Sequence, residues 1–401
     1  MANFRKTAHD IAIAVTGVAG KLIPDRVPMT LLGPGSSRDL CEAIAQAGIR
    51  KLLIVSDAML VKIGIVAQVT PHLDANGVAW VIYDGVEPDP TSAHVGAGLD
   101  LLRRERCDAI LAIGGGSPMD AAKVISAAAT NDKPLHKLEG LMKVRRPPLP
   151  LYAIPTTAGT GSEVTIAAVV SDPVTHAKKF FVDPKLLPQM TALDPSLMVG
   201  LPPAITATTG MDALTHAVES YISRTSNAQT ERWASAAIRL IFANLPKAYR
   251  DGKDLEARRA MALASYYAGL AFTRTSVGYV HAIAHQLGAH YRTPHGLANA
   301  TVLPHVLEFS FEAAKPRLAE MARMIGVEGS DERTLARGFV DAVLALSREV
   351  GIPPALDALR AEDIPQLAKE ALAEAWANYP VPRYMEQLDC EQLIRRFLPG
   401  A

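Results

Sequence analysis

Five of the eleven histidines, His281, His285, His290, His295 and His305, fall between positions 281 and 305. His281 and His285 stand four apart in a segment, Val280 to Gly288, that reads as helix, so both side chains project from one face. Asp212 and His216, in Gly210 to His216 (GMDALTH), repeat that interval with a carboxylate and an imidazole. His295 lies in Pro294-His295-Gly296, where a loop meets the next helix. Imidazole binds borderline transition metals and moves protons near neutral pH. Asp212, His216, His281 and His295 together supply one oxygen and three nitrogen donors, which suit divalent iron or zinc and leave positions for a substrate. One such pair alone is explained as well by a local hydrogen bond or a core histidine; two pairs and His295 together favour a metal. His290 and His305 are expected to be structural or surface residues.

A second chemistry sits in the first half. Gly114-Gly115-Gly116-Ser117-Pro118 lies between an apolar strand and a helix expected over Met119 to Ala129. Glycines let backbone approach a phosphate, Ser117 is placed to cap the helix, and Pro118 suits its first position. The helix start then offers free N–H groups and positive charge to an anion. After the next strand comes another loop of small and hydroxyl residues, with Thr156, Thr157, Gly159, Thr160, Gly161 and Ser162. Two such loops on neighbouring strands would meet at the carboxyl edge of a parallel sheet, where open α/β folds bind ligands. Asp57 closes the strand Lys51 to Ser56, from which a carboxylate can bond ribose hydroxyls and repel the 2′-phosphate of NADP. A helix cap is an equally good reading of Asp57 alone. The usual G-x-G-x-x-G is missing after the first strand, where Gly33-Pro34-Gly35-Ser36 matches only in part. The expected nucleotide domain is therefore Rossmann-like with an atypical fingerprint.

The elements that must position these residues follow from pattern. Thr30 to Gly33, Lys51 to Ser56, Val78 to Tyr83, Asp108 to Ile113 and Leu149 to Ile154 read as strands alternating with helices, the mark of a parallel sheet. Val164 to Val170, Phe180 to Val182 and Thr191 to Leu193 are the last strand candidates. From Pro202-Pro203 onward the chain is amphipathic helix. The expected fold is an α/β N-terminal dinucleotide-binding domain, residues 1–199, followed by an all-α C-terminal domain, residues 200–401, that carries the metal and the catalysis.

Totals narrow the function. With 41 Lys+Arg against 41 Asp+Glu there is no excess positive charge to neutralise a phosphate backbone, so nucleic acid is not an expected partner. Cys41, Cys107 and Cys390 are isolated and odd in number, which fits neither a disulfide framework nor a cysteine metal site and points to the reducing cytoplasm. Ile11 to Gly20 imitates a signal peptide but is short, broken by Thr16 and preceded by Asp10. No apolar run approaches the ~20 residues that span a bilayer, and no membrane partner is expected.

Over nearly its full length the sequence resembles the iron-containing (group III) alcohol dehydrogenase family. The matching stretches are Gly114 to Lys123 (GGGSPMDAAK), Ile154 to Thr165 (IPTTAGTGSEVT), Gly210 to Glu219 (GMDALTHAVE), His281 to Gly288, and Pro294-His295-Gly296. The resemblance implies metal ligands at Asp212, His216, His281 and His295, with His285 close by, near substrate and nicotinamide. It implies a pyrophosphate loop at Gly114, Gly115, Gly116 and Ser117, nucleotide contacts from Thr156, Thr157 and Thr160, and NAD preference through Asp57. Lys178, or Lys179 after a one-residue slip, matches a lysine near the cofactor ribose. Ala167 departs from relatives that carry a polar residue there, so their substrates do not transfer. The resemblance also implies a homo-oligomer.

The reaction expected is reversible hydride transfer between NAD and a primary or small secondary alcohol, with aldehyde or ketone in reverse. A divalent metal, iron ahead of zinc, would act as Lewis acid, and His285 would relay the hydroxyl proton to solvent. The alternative is a zinc-dependent lyase of the dehydroquinate synthase type that uses NAD transiently. A nucleotide-sensing protein with a closed structural metal is the third reading.

Overall fold

The computed structural model describes Ile13 and residues 26–174 and 177–400. Apart from Ile13, the apolar run Ile11 to Gly20 lies outside the described residues. Among the described residues, no helix is long and apolar enough to cross a membrane.

Among the described residues nine strands are formed: β1 (Met29–Leu32), β2 (Lys51–Val55), β3 (Ala79–Tyr83), β4 (Ala109–Gly114), β5 (Gly140–Leu141), β6 (Leu151–Pro155), β7 (Ala167–Ser171), β8 (Lys178–Val182) and β9 (Met190–Leu193). Six of them make one parallel sheet in the order β1-β9-β6-β4-β2-β3. The central strands are apolar on both faces because both faces are covered. Leu53, Val55, Ile110 and Ala112 enter one core, and their neighbours Leu52, Ile54, Leu111 and Ile113 enter the other. That split is the two-residue alternation of a strand made visible. Each fully buried leucine or isoleucine contributes ~1.5–3 kcal/mol.

Two expectations need correction here. The segment Val164 to Val170 does not run as one strand. Ser162–Val164 is a single 3-10 turn, and β7 begins only at Ala167. The buried Lys123 Nζ gathers Thr165 Oγ1 and the Ala167 carbonyl, which folds the intervening chain inward. β7 then pairs antiparallel with β8 in a separate three-stranded sheet, β5-β8-β7. The helix after β4, α1 (Gly116–Thr130), also starts earlier than its sequence suggests.

Backbone contacts divide the chain into two units. The α/β unit ends at Leu201 and also takes in Lys253–Tyr266. Tyr266 and Arg258 explain that return: the Tyr266 hydroxyl lies 2.9 Å from Thr30 Oγ1, and Arg258 Nη2 donates to the Leu201 carbonyl at 3.2 Å. The second unit holds Pro202–Gly252 and the chain from Tyr267, and it is helical. Its site is built on α2 (Pro203–Ile222), α3 (Tyr279–Tyr291), α4 (His295–Met324) and α5 (Ile364–Asn378). Pro203 occupies the first turn of α2, where its missing N–H costs nothing. α2 packs along α4, and α3 packs against both α4 and α5.

Candidate metal centre

Asp212 and His216 lie one turn apart on the buried face of α2, His281 is the third residue of α3, and His295 is the first of α4. Three helices thus bring together four side chains that span 84 residues of sequence. Their ligand atoms all lie within 4.8 Å of one another. His281 Nε2 is 3.0 Å from His216 Nε2 and 3.9 Å from Asp212 Oδ1, and His295 Nε2 is 3.6 Å from the same oxygen. Asp212, His216 and His281 are buried, whereas His295 is partly exposed. One carboxylate and three imidazoles at this spacing fit a divalent cation with ~2.0–2.2 Å bonds after small side-chain adjustments.

The surroundings keep the donors in ligating form. Burial, then the neighbouring His216, His295 and His285, holds His281 well below the ordinary histidine range, so its ring stays neutral. The ring of Phe272 stacks on His216 with centroids 4.1 Å apart and fixes its plane. Asn299, one turn after His295, donates from Nδ2 to Asp212 Oδ1 at 2.7 Å and lies 3.0 Å from His295 Nε2 and 3.2 Å from His281 Nε2. Glu219, two turns after Asp212 on the same face, accepts from the backbone of Gly278 and Val280 and faces His281 Nδ1. Burial pushes the Glu219 carboxyl up to about 8, and the three N–H donors oppose that shift. A divalent cation on the far side of His281 would oppose it further.

His285 is in the same neighbourhood, its ring stacked on His295 with centroids 5.5 Å apart. Its Nδ1 lies 2.6 Å from Glu374 Oε1 on α5. Glu374 also accepts from Gln286 Nε2 at 2.9 Å and from the Tyr379 hydroxyl at 2.5 Å. Burial pushes the Glu374 carboxyl up, but His285 and these donors outweigh it and hold the group below the usual carboxylate range. His290 pairs with Glu370 at the surface, and His305 packs on Phe397, its basicity lowered to about 4 by burial and Arg396. Neither joins the cluster.

In the α/β unit the two small-residue loops lie side by side, because β4 pairs with β6 and places Gly114 opposite Pro155. A Cβ on Gly116 would sit 2.9 Å from Thr160 Cγ2, so only glycine permits this approach. Thr156 is buried and donates its N–H to the Gly114 carbonyl. Ser117 does not cap α1. Gly115 is the cap, with no side-chain hydrogen bond, and Ser117 falls inside the first turn. The early helix start removes Ser117 from the extended geometry that capping requires. Asp57 does cap, accepting from Leu60 N–H at 2.9 Å through Oδ1 at the start of Ala58–Lys62. The Lys178 amine is engaged with Asp89, and Lys179 reaches Glu139 at 3.8 Å.

Five partners are assigned no role by the sequence alone. Glu219 carried a signal, since it continues the Asp212/His216 face into apolar helix. Asn299 repeats the four-residue interval after His295. Lys123 is fully buried and donates to Ser162 Oγ, Thr165 Oγ1 and the Ala167 carbonyl, while Asp120 accepts from Ser162 Oγ and Val169 N–H. Their three-residue spacing on a helix rich in alanine was the available clue. Glu374, 89 residues from His285, carried none.

Comparison with known proteins agrees with this architecture. The iron-containing alcohol dehydrogenase family matches residues 28–195, and the Fe-containing alcohol dehydrogenase family, C-terminal, matches residues 206–398. Lactaldehyde reductase of Escherichia coli (strain K12) is 44% identical over 346 residues, covering 85% of this chain and 90% of that one. The solved structure of a 1,3-propanediol oxidoreductase superposes with a TM-score of 0.91 at 40% identity, covering 94% of this chain and all of its own. Sulfoacetaldehyde reductase from Bifidobacterium kashiwanohense, solved in complex with NAD+, superposes with a TM-score of 0.84 at 28% identity, covering 95% of this chain and 100% of that one. With both halves matched in order, this chain belongs to the iron-containing alcohol dehydrogenase family of oxidoreductases.

Proposed function

We propose that the protein catalyses reversible hydride transfer between NAD and a primary or small secondary alcohol, using a divalent metal held by Asp212, His216, His281 and His295. The observation that carries this reading is the convergence of those four donor atoms within 4.8 Å. Iron is the metal proposed; zinc is the competitor that the same donors accept. When bound, the metal supplies a Lewis acid for the alcohol or carbonyl oxygen, and NAD supplies the hydride acceptor.

The chain's own residues do the rest. Asp212 contributes the one negative charge of the donor set, and the three imidazoles bind neutral. His285 has Nδ1 committed to Glu374, so Nε2 is the nitrogen that accepts the hydroxyl proton. Gly114, Gly115, Gly116 and Ser117 present backbone to the pyrophosphate, beside Thr156, Thr157 and Thr160. Asp57 bonds the adenosine ribose while capping its helix, and Lys178 lies near the cofactor ribose. The α/β half is the nucleotide domain and the helical half the metal domain. NAD as the dinucleotide is supported by the NAD+ complex of sulfoacetaldehyde reductase. A small substrate is supported by the names of the lactaldehyde and 1,3-propanediol enzymes. We place the enzyme in the cytoplasm as a homo-oligomer.

The test is anaerobic reconstitution with Fe(II), followed by NADH absorbance across short primary alcohols, secondary alcohols and diols. Sustained NADH formation on at least one of them is expected, and it stops when a chelator strips the metal. Metal-loaded protein that forms no net NADH on any alcohol would contradict the proposal.

A further inference from the structure

We infer that Glu219 is a positioning residue of the metal centre, which fixes the ring orientation and tautomer of His281 and ties the start of α3 to α2. The inference rests on the metal reading above and adds a residue outside the ligand set. Glu219 is 4% exposed. Its Oε2 accepts the Gly278 N–H at 2.8 Å and faces His281 Nδ1 at 2.6 Å, and its Oε1 accepts the Val280 N–H at 2.8 Å. Three donors therefore converge on two oxygens of one side chain.

Two physical consequences follow from that convergence. The first concerns the helix. Gly278 caps α3 without a side chain of its own, so the helix start would leave N–H groups unsatisfied in a buried place. Glu219 satisfies those of Gly278 and Val280 from another helix. The second concerns the ring. An imidazole binds a metal through the nitrogen that carries no proton. With Nδ1–H given to Glu219, the lone pair rests on Nε2, the atom that faces His216 and Asp212. Position 278 is fitted to this arrangement: a Cβ there would stand 2.8 Å from Glu219 Oε1 and 3.1 Å from its Cδ.

The test measures metal affinity directly, by competition for Zn(II) against a chromophoric chelator, with circular dichroism as the check on folding. In Glu219→Gln one accepting oxygen is replaced by an amide donor, and the Kd for Zn(II) is expected to rise ~10–100-fold. Because Glu219 acts through His281, adding Glu219→Gln to His281→Ala should change the Kd little further. A wild-type Kd in folded Glu219→Gln overturns the inference. So does an equal loss in both backgrounds, which marks a merely structural role. If Glu219→Gln does not fold, Gly278→Ala displaces the same carboxylate: a weakened Kd supports the inference, and an unchanged one overturns it. Asp212→Ala separates this idea from its foundation. Retained affinity there sinks the metal reading itself, whereas loss there beside a wild-type Glu219→Gln sinks only the role of Glu219.

Discussion

Nδ1 of His285 lies 2.6 Å from Oε1 of Glu374, a carboxylate that also holds Gln286 and Tyr379. The pairing leaves the other ring nitrogen, Nε2, for the proton exchange proposed above. His285→Ala should lower kcat/KM for alcohol oxidation ~10²–10³-fold, within the range for one general base. Glu374→Gln should lower it by less, about 10-fold, because the ring loses orientation and keeps its chemistry. The pH profile of alcohol oxidation checks this. An unchanged profile in His285→Ala rules out the relay.

Asp57 carries a prediction about dinucleotide choice. Its carboxylate caps the helix Ala58–Lys62, so a substitution must spare the cap to isolate the charge. Serine does so, being an equally good N-cap. Wild type should prefer NAD, and Asp57→Ser should narrow the ratio of kcat/KM for NAD over NADP by ~10–100-fold, through loss of repulsion toward the 2′-phosphate. The same ratio in both proteins would remove Asp57 from the ribose site.

Glu163 makes stability depend on pH. Burial pushes its carboxyl up from 4.5 to about 7, and its Oε1 has no hydrogen-bond partner among the described residues. The folded chain therefore keeps this proton while the unfolded chain loses it above about 4.5. Stability from this group is present below the unfolded value and is lost as pH rises toward 7, by roughly 2–3 kcal/mol. Urea midpoints measured from acid to neutral pH should fall less steeply in Glu163→Gln than in wild type. Equal slopes would show that Glu163 titrates normally.

The sequence made the sheet and the ligand types legible for the same reason: both are written in short intervals. Apolar runs such as KLLIV and AILAIG mark strands covered on both faces, and Asp212/His216 mark one face of a helix. What escaped was set by distant partners. Thr165 and Ala167 look like strand residues until the buried Lys123 is seen to hold them. Ser117 looks like a cap until Gly115 takes the position. β7 and β8 have ordinary strand composition, and nothing local says that they leave the parallel sheet. Glu374 meets His285 only because α5 packs on α3. Local spacing names the candidate donors and hints at Glu219 and Asn299, and only packing names Glu374.

The metal content of anaerobically purified protein, wild type beside Asp212→Ala and each checked for folding by circular dichroism, decides whether Asp212, His216, His281 and His295 hold the ion. About one divalent ion per chain is expected in wild type. Asp212→Ala, which removes the only carboxylate of the four donors, should lose the ion and NAD-linked alcohol oxidation together. A folded Asp212→Ala that kept its full complement of metal and oxidised alcohols at the wild-type rate would contradict the assignment of this cluster.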